Sequence, residues 1–179
     1  MTEEFENLRV ETRTSEFANE VLVLEIWKGF VCLYNPVEAR NRGVGILQSV
    51  AYADSEAAIF KALVGLDERK GFGGIPKKTM QLAITALQVV RKQRQPLPEG
   101  INPIFGFSTQ QPLVDLIINS HKISLDLDTA RTHALHLLEA AEAAVSDNFF
   151  LNQLVIEEWR DLMTEMSGYR QKQWLEALL

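Results

Sequence analysis

One cysteine, Cys32, stands in 179 residues, so no internal disulfide can form and the fold must be held by packing. No apolar run approaches the roughly 20 residues that cross a bilayer. The opening Met1-Thr2-Glu3-Glu4-Phe5-Glu6 is acidic and lacks the basic-then-apolar order of a secretion signal. The expectation is a cytoplasmic protein with no membrane partner. Catalytic signatures are scarce too: there is no G-x-S-x-G elbow, no P-loop and no G-x-G-x-x-G. Nothing in the pattern sets a nucleophile beside a base, so no catalytic residue and no cofactor is expected.

Apolar residues make up 46% and charged residues 23%, the balance of a folded domain that can bury its own core. Net charge is −6 but unevenly spread. Between Arg69 and Arg94 lie seven basic residues and no acidic one, which leaves −13 on the rest of the chain.

Sliding the sequence against itself by 91 positions gives 13 ungapped identities over residues 22–87. Composition alone gives roughly four or five. Leu22-Val23 meets Leu113-Val114, Ala39-Arg40 meets Ala130-Arg131, and Leu63-Val64 meets Leu154-Val155. This predicts one domain over 1–179, made of two repeats (about 1–90 and 92–179) joined by a proline-rich linker at 95–100. The fold class is α+β: a duplicated β-hairpin-plus-helices unit, its antiparallel sheet packed by helices with pseudo-two-fold symmetry.

Each repeat opens with a hairpin. Val21–Trp27 and Phe30–Tyr34 flank Lys28-Gly29; Leu113–Ile118 and His121–Leu125 flank Asn119-Ser120. Glycine and asparagine tolerate the positive φ of two-residue turns. A helix follows each hairpin, capped by Asn35 with Pro36 at its first position, or by Asp126 or Asp128. Gly43 and Ala134 are equivalent small residues in its stripe, suited to close approach. Ser55 and Ser146 are expected to start a second helix in each repeat. A third is expected from about Pro76 to Gln95, with a counterpart over Tyr169–Leu179. Residues 1–16 and 101–111 are too poorly patterned to assign, though either could supply an edge strand.

The two-residue turn fixes which side chains share a face. Val23, Glu25, Trp27, Phe30, Cys32 and Tyr34 should pack on helices, as should Val114, Leu116, Ile118, His121, Ile123 and Leu125. The opposite face of hairpin 2 is half polar: Leu113, Asp115, Ile117, Lys122, Ser124, Asp126. That of hairpin 1 is aliphatic throughout: Leu22, Leu24, Ile26, Val31 and Leu33. Either the chain covers it, or a protein partner or second copy does.

Three function readings follow. The first is a non-catalytic binding or regulatory protein acting through protein contacts, homodimeric through Leu22, Leu24, Ile26, Val31 and Leu33. The second is an anion- or nucleotide-binding protein or enzyme using Gly71, Gly73, Gly74, Lys77 and Lys78, where a glycine-rich loop enters a helix. The third is a nucleic-acid-associated regulator using the basic 69–94 segment, although an acidic pI near 5.1 opposes it. His121, His133 and His136 all fall in the second repeat. His133 and His136 are expected at the surface, and no metal site is read from them. Cys32 should behave as a small core hydrophobe. Arg40 and Arg131, charged in both repeats, are expected in structural ion pairs.

Overall fold

The computed structural model describes residues 8–15, 20–64, 75–106 and 111–176, with side chains through 158. Among the described residues, six strands and three helices follow the order β1 (Arg9–Ser15), β2 (Glu20–Trp27), β3 (Phe30–Tyr34), α1 (Pro36–Val64), α2 (Lys77–Lys92), β4 (Ile101–Gly106), β5 (Gln111–Ile118), β6 (His121–Asp126) and α3 (Leu127–Glu176). The protein is α+β. Its strands form two antiparallel sheets, β1-β2-β3 and β4-β5-β6, rather than one.

Both hairpins turn where the sequence places them. Lys28, Gly29, Asn119 and Ser120 all have positive φ, between 47° and 86°. That turn geometry matches the right-handed twist of the strands it joins. The unassigned segments supply β1 and β4, each added to the free edge of its hairpin. β4 carries Pro103, which lacks an amide hydrogen and is tolerated at an edge.

The helices run longer than expected. Ser55 and Ser146 lie inside α1 and α3 rather than starting new helices. Their hydroxyls donate back to the carbonyls of Ala51 and Glu142 at 2.8 and 3.1 Å, which leaves the helix unbroken. α3 therefore runs 50 residues, about 75 Å at the usual rise. Asn35 caps α1 with a reciprocal pair: its side chain accepts from the Glu38 amide, and Glu38 accepts from the Asn35 amide. Asp126 caps α3 by accepting from the amides of Asp128 and Thr129 and the Thr129 hydroxyl. Burial would raise the Asp126 carboxyl, but those donors hold it below its usual range.

Each long helix packs mainly on the sheet of the other half. α1 lies against β4 and β5, and α3 against β1 and β2, while α1 and α3 also pack on each other. The main core draws on both halves: Val21, Val23, Ala39, Ile46, Val50, Val114, Leu116, Leu125, Ala134 and Leu137 are among its members. At the crossing of the helices a Cβ on Gly43 would sit 3.0 Å from the Ala134 carbonyl oxygen, so glycine permits the close approach. Asn148 of α3 extends the first sheet, accepting from the Val21 amide at 2.6 Å and donating to its carbonyl at 3.2 Å. A smaller cluster of Phe60, Ala83 and Leu87 seats α2 on the end of α1. Among the described residues no helix is long and apolar enough to cross a membrane.

The segment joining the halves is packed against α1. A Cβ on Gly45 would sit 2.6 Å from Cδ and Cγ of Pro98. Without that contact, alanine at a mid-helix glycine would add up to about 1 kcal/mol of stability. Gly45→Ala is expected instead to lose about 1–3 kcal/mol, the usual cost of overpacking. Urea denaturation measures it, and a net gain would show that the linker yields freely.

Candidate functional site

Charged groups converge at one place inside the molecule. Glu25 of β2 is fully buried. Its Oε2 accepts from Arg42 Nε at 2.5 Å and from the Tyr34 hydroxyl at 2.9 Å; its Oε1 accepts from His133 Nε2 at 2.7 Å. Arg42 also donates to the Ile117 carbonyl at 3.0 Å, and its guanidinium lies over the Tyr34 ring. Four elements from both halves thus meet at one carboxylate, and β5 joins through its backbone.

Burial by itself would push the Glu25 carboxyl up. The hydrogen bond from His133 and the Arg42 charge outweigh it and hold the group below its ordinary value. Glu25 is therefore ionised, and His133 must present Nε2–H to it. Burial and the adjacent carboxylate push the Tyr34 hydroxyl well above its usual range, so it stays a donor. Held by three donors from three elements, this carboxylate acts as an anchor between the halves. Ser49, buried with its hydroxyl unpartnered, has no hydrogen-bonded base beside it.

His133 corrects the sequence reading, which put it at the surface. It is 3% exposed. The helical stripe places it on the flank of the apolar face, and the crossing of α1 and α3 turns that flank inward. His136 is exposed. His121 stacks on Phe30, ring centroids 3.5 Å apart, and its Nδ1–H donates to the Asn119 carbonyl. Among the described residues no group of histidine, cysteine and acidic side chains could hold a metal ion. Cys32 is half-buried, and its Sγ accepts from the Asn119 amide at 3.1 Å. Arg40 pairs with Glu142 and Arg131 with Asp128, all four exposed.

The anion loop expected from the sequence is described only in part. Gly71, Gly73 and Gly74 lie outside the described residues. Lys77 and Lys78 are exposed in the first turn of α2, which has no acidic residue and no side-chain cap. At the other end of that helix, Arg91 and Arg94 both turn onto the buried Glu56. Part of the basic 69–94 segment is thereby committed inside the molecule, which sequence distance hid.

The aliphatic side of the first sheet faces outward. Leu22, Leu24 and Ile26 on β2 stand beside Arg13, Glu11 and Arg9 of β1 and above Val31 and Leu33 of β3. Leu24 and Ile26 are buried, whereas Val31 and Leu33 are 40% and 61% exposed. Arg13, Thr14, Ser15, Leu22, Leu24, Val31 and Leu33 line a shallow groove there of about 390 Å³. The matching face of the second sheet is half polar: Asp115 is held by Lys122 and Ser124 at 2.6 Å each, and Ile117 is 41% exposed. Further exposed apolar side chains, Phe149, Phe150 and Leu154, lie on α3.

Arg42→Ala leaves a buried carboxylate short of its counter-charge and is expected to cost about 3–5 kcal/mol in chemical denaturation. Because the Glu25 pKa is lowered in the folded state, its contribution is present above the ordinary value of 4.5 and fades as pH falls below it. Stability measured between pH 7 and pH 3 should drop more steeply in the wild type than in Glu25→Gln; equal slopes would show that Glu25 is not held ionised. Comparison with protein-family models, curated proteins and solved structures gives no match, so the functional reading rests on this geometry.

Proposed function

We propose that this protein is a non-catalytic binding or regulatory module of the cytoplasm, and that it works as a homodimer through the outer face of its first sheet. One observation carries the reading. Of two sheets alike in order, one turns out a half-polar face, and the other an aliphatic one on which Val31 and Leu33 are exposed, Leu22 is half-buried, and Leu24 and Ile26 lie buried between them and the charged margin. Contiguous apolar surface of this kind marks a contact site in soluble proteins.

The occupant we favour is a second copy. The margin of the face alternates in sign, Arg9, Glu11, Arg13. Arg9 and Glu11 pair along the strand at 3.0 Å, and a two-fold axis passing between them would set Arg9 of each copy against Glu11 of the other while the aliphatic centres meet. A three-stranded face of seven residues covers roughly 300 Å², from strand spacing and rise. That is small beside the ~800 Å² per partner of a standard interface, so the dimer should be weak, in the micromolar range.

The same proposal takes the chain as a duplicated unit with pseudo-two-fold symmetry. Residues 91 apart in sequence touch across the middle of the molecule, which supports it. Phe30 stacks on His121, Arg42 and His133 share Glu25, and Gly43 abuts Ala134. Near a two-fold axis each residue meets its own equivalent. The exchange of helices between sheets fits a dimer fused into one chain.

Sedimentation equilibrium over about 1–200 µM tests the contact. The wild type should associate, and Leu33→Asp should weaken association by about 100-fold, since it buries a charge in an apolar seam. Phe150→Asp, on the separate apolar stretch of α3, should leave it unchanged. A wild type that stays monomeric throughout, or a Leu33→Asp variant that dimerises as before, would overturn the proposal.

A further inference from the structure

A second polar constellation sits away from the anchor and the aliphatic face. Glu56 of α1 is 1% exposed. Arg91 grips it in bidentate fashion, Nε to Oε1 at 2.8 Å and a terminal nitrogen to Oε2 at 2.6 Å. Arg94 donates to the same Oε1 at 2.5 Å and to the Tyr52 carbonyl at 3.3 Å, and its guanidinium lies 4.4 Å from the centre of the Tyr52 ring. Two arginines thus lean on one carboxylate, which leaves a net positive charge.

These groups border an open cleft of about 520 Å³ between α1, the end of α2, the linker and the start of β4. That is the size of a small-molecule pocket. Its walls include Tyr52, Leu97, Pro98 and Pro103, with the polar side chains of Gln95 and Asn102. Each guanidinium has five N–H donors, and four of the ten are used by Glu56 and Tyr52. The remaining donors sit on planes fixed from behind by a buried carboxylate. Fixed, planar arginine pairs suit phosphate oxygens, because little side-chain freedom is lost on binding. The last carbonyls of α2 would repel an anion, but the amides of Gln93 and Arg94 donate to those of Val90 and Arg91. Glu99, exposed at the rim, is the one acid among the described lining residues. It disfavours a bare polyanion and favours a ligand that carries hydroxyl or amine donors.

We propose that this cleft binds a small phosphate monoester, its phosphate on Arg91 and Arg94 and its body against Tyr52, Leu97 and Pro103. The site differs from the Gly71–Lys78 loop and does not depend on the dimer. Because the linker forms one wall, a bound ligand would tie α2 of the first half to β4 of the second.

Phenyl phosphate, with a phosphate and an apolar ring, is a suitable probe for isothermal titration calorimetry on the full chain, with phenol as the uncharged control. Saturable binding below about 1 mM is expected, with phenol at least tenfold weaker. Arg91→Gln, which leaves Arg94 on Glu56, should weaken binding about tenfold or more. Lys92→Gln removes the same charge one residue away, outside the cleft, and should change it less than about twofold. In the unmodified protein, amide NMR shifts on titration should concentrate at Tyr52 and residues 91–103, which covers the case in which Arg91→Gln fails to fold. No saturation by about 10 mM, equal losses from the two substitutions, or shifts centred elsewhere would overturn the assignment.

Discussion

The Glu25 carboxylate is the constraint around which the two halves are organised. A buried ion costs several kcal/mol to desolvate, and only close partners offset that. Here the partners come from β3, α1 and α3, so the charge is satisfied only when all of them are in place. Apolar packing between helices and sheets is tolerant of small shifts, whereas a three-donor carboxylate is not. The network therefore selects one register of α1 against α3, and the close approach of Gly43 to Ala134 lies one residue along.

With that crossing fixed, the rest follows from topology. Each long helix covers the partner half's sheet, which protects one face of each sheet and leaves the other outside. The second sheet meets water with an ion pair and a serine. The first meets it with aliphatic side chains and a charged margin, an arrangement stable in water only at some cost, and so a place where a contact pays off. Glu56 repeats the logic of Glu25 on a smaller scale. It too is a buried acid that recruits arginines distant in sequence, but Arg91 is half exposed beside a cleft while Arg42 is almost wholly buried.

Much of the fold was legible in the sequence. The hairpins were marked by their turn residues, α1 and α3 by their caps, and the two sides of each hairpin by period-two alternation. The edge strands were not. β1 has a single aliphatic residue, Val10, and β4 contains Asn-Pro, because an edge strand needs neither a full apolar face nor every amide. The serines at 55 and 146 read as helix starts because a local rule cannot see whether a hydroxyl caps the next turn or bonds back to the previous one. The candidate sites were harder still. The aliphatic face could be named residue by residue, yet neither buried glutamate was singled out for its chemistry.

Sequence alone determined what is local: where the chain turns, which residues alternate across a strand, which side chain caps a helix, and that positions 91 apart resemble each other. Those features depend on neighbours within a few residues or on simple comparison. Tertiary structure alone decided that strands close into two sheets, that helices exchange sheets, and that His133 and Arg42 share Glu25 while Arg91 and Arg94 share Glu56. The reason is electrostatic and steric: a buried charge must find its partners wherever the chain brings them, and no periodicity in sequence encodes a meeting across 108 residues.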